Sequence, residues 1–234
     1  MHRFWWIFAI LLSPVHTIVA QETRDVMVVK MLDGRMHRFV VGDIDFIEFE
    51  EEAVPDPQQG IDLGGTVLWA QCNIGARQPE EFGNLFSWAE TEPKGDYSEE
   101  NYQYFTNYTY EYVGNNISGV AKYDAATKQW GSPWRMPTLS EIKELTACTW
   151  TEETLNGVKG FRVTATNGNS IFLPAAGYQP GAERLQADEQ GYYWSSSLNR
   201  DMPSSAFNIN FRGYDAEWSA SRAYGFSIRA VRDF

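Results

Sequence analysis

Histidine occurs at only three positions of this 234-residue sequence, 2, 16 and 37, and cysteine at two, 72 and 148. Nucleophilic chemistry of the Ser-His-Asp or Cys-His type needs an imidazole that the fold places beside the nucleophile. Once residues 1–20 are set aside as a leader, His37 is the sole candidate, and it falls in a short predicted hairpin outside the larger domain. A catalytic histidine is not expected, and one imidazole with two thiols cannot complete a zinc site. Carboxylates are plentiful. Glu80-Glu81, Glu99-Glu100, Glu152-Glu153 and Asp188-Glu189 are pairs from which a glycoside hydrolase would draw its acid and its base. Neighbouring acids diverge on either a strand or a helix, so these pairs read as solvated.

Aromatic side chains offer a different chemistry. Sugars lay their C–H faces on exposed Trp and Tyr rings, while Asn, Gln and Asp bond the hydroxyls. From Tyr97 to Tyr112 seven aromatics alternate with Asn101, Gln103, Asn107 and Thr109, a composition suited to an adaptable recognition surface. A self-packed surface loop has the same composition. The ligand-binding candidates are Tyr102, Tyr104, Tyr108, Tyr110, Trp130, Tyr214 and Trp218. Trp69, Trp88, Trp134 and Trp194 are expected in the core, where large aromatics are mostly buried. Arg135 and Arg229 read as structural, paired inside or stacked on rings. Cys72 and Cys148 either form one disulfide, as exported proteins allow, or stay as two packed thiols. With 75 residues between them and no basic cluster beside either, they do not read as a redox pair.

The elements that would hold these residues begin with the leader. Met1-His2-Arg3 is a basic start, residues 4–12 are apolar, and Thr17-Ile18-Val19-Ala20 is a small-residue end. That pattern predicts a secretory signal cut before Gln21. Its apolar run is shorter than the roughly 20 residues a membrane span needs, and no later stretch is apolar enough. No cysteine near the cut offers a lipid anchor. Cutting there removes Arg3 and no acid, which takes the formal charge from −12 to −13. So acidic a chain repels phosphate backbones and anionic lipid, which argues against nucleic acid and membrane partners.

Residues 21–52 read as a small β segment: strands over 26–31 and 36–41 flank Asp33-Gly34, and a third short strand follows over 46–49. Such a meander is too small to stand alone and should dock on something. Residues 53–60, with two prolines, two glutamines and a glycine, form a stiff solvated linker. Residues 61–234 form the larger domain, and all seven tryptophans beyond the leader lie in it. A strand is expected over 66–70 and helical character over 82–90. Thr138-Leu139-Ser140-Glu141 after Pro137 is a capping box that opens the clearest helix. Asn156-Gly157 and Asn167-Gly168-Asn169 mark hairpins, and further short strands are expected over 192–196, 206–211 and 225–231. Few helices among many short antiparallel strands indicate an α+β class.

The blocks VLWAQCNIGA (67–76), FGNLFSWAETEP (82–93), WRMPTLSEIKEL (134–145), IFLPAAGY (171–178), GYYWSSS (191–197) and YGFSIRAVR (224–232) occur in that order. Together they resemble the Fibrobacter major paralogous domain, found on exported proteins of Bacteroidetes and Fibrobacteres, across essentially all of residues 61–232. Residues 30–49 resemble a β segment that often precedes domains in Bacteroidetes surface proteins. The resemblance implies a C-type-lectin-like domain of short antiparallel strands with one or two helices, preceded by the small β meander. It also implies distant kinship of fold with formylglycine-generating enzymes, whose reactive cysteines lie in the C-terminal part of the domain. Here Ser219, Ala220 and Ser221 occupy that region and no cysteine follows Cys148, so the kinship does not extend to chemistry.

Members of this family also tolerate reduced, packed cysteines. Glu90 and Glu92 belong to one of the shared blocks, where they are expected to bond loop backbone or hold a cation. Lectin-like calcium sites gather carboxylate and amide oxygens on a long loop. The Glu-Pro-Asn and Gln-Pro-Asp sugar signatures are replaced here by Glu92-Pro93-Lys94 and Gln179-Pro180-Gly181. Calcium is thus chemically possible but not predicted, and no other cofactor is expected. The expectation is an exported, non-enzymatic binding or adhesion module for a glycan or a surface protein, in the periplasm, at the cell surface or secreted. An assembly component docking through its N-terminal β segment is the second expectation, and a carboxylate-dependent glycoside hydrolase the third.

Overall fold

The computed structural model describes residues 19–21, 24–30, 35–40, 56–211 and 218–234, and the chain divides into two compact units, Met1–Ala53 and Val54–Phe234. In the first unit β1 (Val19–Gln21), β2 (Arg24–Lys30) and β3 (Met36–Val40) form one antiparallel sheet in that order. The expected hairpin is present, with Val29 opposite His37 and Lys30 opposite Met36. Its turn at 33–34, the strand expected over 46–49 and most of the leader lie outside the described residues. Alternation along β3 does not bury one face. Met36 to Phe39 are all exposed, and Met36 and Phe39 show 60% and 44% of their surface.

Among the described residues the second unit is mostly short antiparallel strands with two short α-helices. β5 (Leu68–Asn73) pairs on one side with β4 (Gly60–Asp62) and on the other with β14 (Arg229–Arg232), so the two ends of the unit close on one sheet. A second sheet joins β8 (Thr149–Leu155), β9 (Val158–Thr164) and β10 (Ser170–Pro174). Its first turn is Asn156-Gly157 with φ of 49° and 89°, the left-handed pair that a two-residue hairpin requires. A third sheet holds β11 (Tyr192–Leu198), β12 (Ser205–Asn210) and β13 (Trp218–Ser221). β6 (Phe105–Thr106) and β7 (Thr109–Tyr110) make a small separate hairpin.

The helices are α1 (Ala125–Trp130) and α2 (Leu139–Thr146). Asp124 caps α1. One of its oxygens accepts from the Thr127 N–H at 3.0 Å, and the other binds the N–H groups of Gly119 and Met136. At α2 both halves of the capping box form, Glu141 N–H to Thr138 Oγ1 and Thr138 N–H to Glu141 Oε2. Residues 82–90 are not helical, contrary to expectation. Gly83 and Ala89 take left-handed φ of 68° and 70°, and Phe86 bridges to Phe226. A Cβ at Gly83 would lie 2.6 Å from the Ile74 carbonyl oxygen, so the chain there folds back too tightly for a helix.

The core has two parts. One gathers Trp88, Trp134, Trp194 and Phe226, and the other Trp69, Ile142, Leu145, Val163 and Ile171. Trp194 stacks on Phe226 at 4.2 Å and donates its indole N–H to the Phe86 carbonyl, and Trp88 donates to the Ser195 carbonyl. Burial of one such side chain contributes about 2–3 kcal/mol, and each indole proton is satisfied. Among the described residues no helix is long and apolar enough to cross a membrane, which says nothing of a β-barrel.

Arg135 joins this frame to the chain end. Its guanidinium forks onto both oxygens of Glu141 at 2.7 and 2.9 Å and also reaches Asp233. Burial pushes the Glu141 carboxyl up, but the bonds from Arg135 and Thr138 outweigh it and hold the group below the usual carboxylate range. A depressed folded-state value stabilises the fold above the unfolded value of about 4.3 and loses that contribution as pH falls through the folded value. Denaturant melts should therefore show wild type losing on the order of 1–2 kcal/mol more than Glu141→Gln as pH drops below about 4. Parallel curves for the two proteins would remove Glu141 from the acid response.

Candidate recognition site

The Tyr97-to-Tyr112 segment folds over Arg222. A single 3-10 turn, Glu99–Asn101, delivers Tyr102 inward. There its hydroxyl donates to the Trp88 carbonyl at 2.7 Å and accepts from Arg222 Nε at 3.0 Å. Arg222 Nη1 donates to the carbonyls of Glu111 and Pro203. The guanidinium carbon sits 5.0 Å from the Trp88 ring, 5.3 Å from Tyr102 and 5.5 Å from Tyr110, within cation–π range of all three. Arg222 is 1% exposed, its bonded acceptors are neutral oxygens, and Nη2 has no partner among the described residues. Burial drives the Tyr102 hydroxyl well above its ordinary value against the pull of Arg222.

Around this nest the loop is tied at several points. Tyr110 donates to Glu99 and lies 3.2 Å from Ser221 Oγ, which fixes the β6–β7 hairpin to the end of β13. Burial and the bond to Glu99 push the Tyr110 hydroxyl up to about 12. Glu90, 7% exposed, accepts the Gln103 N–H at 2.6 Å and pairs with Lys94, whose ammonium lies over the Tyr97 and Tyr102 rings. Glu92 takes a side-chain bond from Gln129.

The sequence candidates separate by depth. Tyr102 and Tyr104 are buried, at 2% and 7% exposure, so neither can present a ring face to a ligand. Their side chains point into the aromatic core because the turn at Glu99–Asn101 and the Tyr102 hydroxyl bonds fix them there. Tyr110 is half-buried over Arg222, and half-buried Trp130 packs edge-on against Trp134 at 5.6 Å. Tyr108 is 95% exposed at the hairpin tip, with Asn107 and Tyr108 both left-handed. Trp218, the first residue of β13, is 56% exposed, and Tyr112, not among the sequence candidates, is 70% exposed. Tyr214 lies outside the described residues. Arg222 was not a candidate at all. It reaches Tyr102 across 120 positions, and no spacing motif spans that separation.

Arg229 and the tryptophan candidates for the core are buried, and Arg135 is half-buried. Cys72 and Cys148 are free thiols, so the disulfide alternative is not realised. Cys72 is buried on β5 beside Arg229 and near Glu80, Glu81 and Asp56, and burial pushes its thiol up to about 11. Cys148 instead packs on the second part of the core at the end of α2, with its thiol also raised by burial. Glu152, Glu153, Asp188 and Glu189 line one open cleft, where Glu153 is already forked by Arg162. Among the described residues no three His, Cys, Asp or Glu side chains form a group that could hold a metal ion. No family model, curated protein or solved structure matches this chain.

Proposed function

We propose that this chain is an exported, non-enzymatic binding module with a C-type-lectin-like second unit of the Fibrobacter major paralogous kind. Its ligand is a glycan or a protein of the bacterial surface or periplasm, met by the exposed aromatics of the β6–β7 hairpin and β13. The observation that carries this reading is Tyr108, almost fully exposed on a hairpin whose base is tied to buried Arg222 and to Ser221. An aromatic held out on a fixed support contributes contact area without a large ordering cost on binding.

A glycan array with purified residues 21–234, run with calcium and then with chelator, tests it. Reproducible binding is expected, weakened about tenfold in Tyr108→Ala and in Trp218→Ala, the scale of losing a central aromatic anchor. A blank array with folded protein moves the reading to a protein ligand. A hydrolytic activity lost on changing one acid would defeat it.

The exposed Met36 and Phe39 of β3 favour a second reading, an assembly part whose N-terminal sheet pairs with another surface protein. Deleting residues 21–52 separates the two. A binding module keeps its ligand, whereas an assembly part loses its partner.

A further inference from the structure

We propose that an open cleft of about 740 Å³ beside the end of α2 is a second binding site, for an uncharged saccharide of one or two rings. The cleft shares no residue with the Tyr108 and Trp218 surface, so this inference does not depend on that reading. Its size falls within the range of small-molecule sites. Leu63, Trp69 and Leu145 supply buried apolar surface, and threonine hydroxyls and the Glu144 carboxylate supply the polar lining.

Glu144 is held in place before any ligand arrives. Thr66 donates its N–H to Oε2 at 2.8 Å, and its hydroxyl lies 3.0 Å from both carboxylate oxygens. A Cβ at Gly65 would lie 2.5 Å from Oε2, so the absence of a side chain at position 65 permits this approach. Thr66 has only two protons to give, one amide and one hydroxyl, against roughly four acceptor positions on a carboxylate. About two acceptor positions on Glu144 therefore remain for ligand hydroxyls.

Opposite it, Thr149 and Thr164 face each other across the β8–β9 ladder, with Thr166 just beyond. No hydroxyl of these three has a protein partner among the described residues. Each can donate and accept at once, which is what adjacent sugar hydroxyls require. Among the described residues no lysine or arginine lines the cleft, and the chain carries −12, so phosphate, sulfate and carboxylate ligands are disfavoured.

Cys148 lines the same cleft and reports on it. Its side chain is partly open, whereas Cys72 is fully buried, so N-ethylmaleimide should modify the folded chain once, at Cys148. A panel of glucose, galactose, mannose, N-acetylglucosamine, maltose, cellobiose and lactose is then added to the purified chain. At least one sugar should slow that modification, roughly tenfold when present at ten times its Kd. Glu144→Gln and Thr164→Val should each abolish the protection with the thermal melt unchanged. Tyr108→Ala should leave the protection intact, which keeps this site distinct from the hairpin surface. If every sugar leaves the Cys148 rate unchanged, or if Thr164→Val and Glu144→Gln stay protected, the proposal is overturned. Protection by sodium sulfate but by no sugar also overturns it, because the site would then select anions.

Discussion

Replacing Arg229 with methionine should lower the unfolding free energy by about 3–5 kcal/mol, among the largest effects a single change here can have. Arg229 is 1% exposed, and burial pulls its ionisation below the ordinary arginine value. It persists because every arm is used. Nε donates to Asn73 Oδ1 at 2.9 Å, Nη1 to the carbonyls of Ala70 and Gln71, and Nη2 to the carbonyl of Phe172. One side chain on β14 thus binds β5 and β10, where the sheets closing the unit meet. Methionine fills most of the volume but leaves those acceptors short of donors, at about 1–3 kcal/mol for each that stays unsatisfied. Relief of the buried charge offsets part of this loss. For a unit of this size the midpoint of thermal unfolding should fall by roughly 10 °C. Arg229→Lys should not restore it, since a compact ammonium cannot reach three separated strand positions. A fall of only one or two degrees in the methionine variant would show that water, not the guanidinium, satisfies those carbonyls.

What the sequence discloses of this arrangement is governed by range. The α2 cap and the β8–β9 turn are legible because Thr138 with Glu141, and Asn156 with Gly157, act on neighbours a few positions away. The expectation of a helix over 82–90 fails because the Asn84 N–H bonds the Ile74 carbonyl and Phe86 bridges to Phe226, which lies 140 positions away. Helix α1 was missed although its cap is local. Asp124 and Gly131 bracket only six residues, too few for an apolar face to show. The aromatic run over 97–112 shows where rings concentrate, yet not which ring faces inward. Tyr102 goes inside because Trp88 and Arg222, 14 and 120 positions away, take its hydroxyl, while Tyr108 stays outside on a left-handed tip. The thiol pair has the same lesson: spacing alone admits a disulfide, and the fold gives Cys72 and Cys148 different surroundings.

Replacing Arg222 with methionine should loosen residues 105–111 and remove ligand binding while costing less overall stability than the change at Arg229. The two arginines are equally buried but differently satisfied. Arg222 leaves Nη2 without a partner among the described residues, and aromatic faces take the place of some hydrogen-bond acceptors around it. Removing it relieves an incompletely compensated buried charge, which offsets much of the lost bonding, so a net cost of about 1–2 kcal/mol is expected. The local effect is larger. Nη1 holds the Glu111 carbonyl just past β7, and the guanidinium supports the Tyr110 ring from beneath. Without both, the β6–β7 ladder keeps its two residue pairs, the Glu111 N–H bond to the Tyr104 carbonyl, the Thr106 to Glu111 side-chain bond and the ties of Tyr110, a set as small as that of a marginal two-stranded hairpin. Amide exchange over 105–111 should then quicken by at least about tenfold, the equivalent of 1.4 kcal/mol of local opening. Tyr108 would be carried on a loosened support, so array binding should fall with it even though Arg222 itself is buried from any ligand. Arg222→Lys should behave like methionine in exchange, because an ammonium cannot bridge Tyr102 and Glu111 while covering three rings. Unchanged exchange over 105–111 alongside lost binding would mean that Arg222 acts on the ligand directly. Unchanged exchange with unchanged binding would detach the hairpin from Arg222 altogether and leave Tyr110, through Glu99 and Ser221, as what holds it.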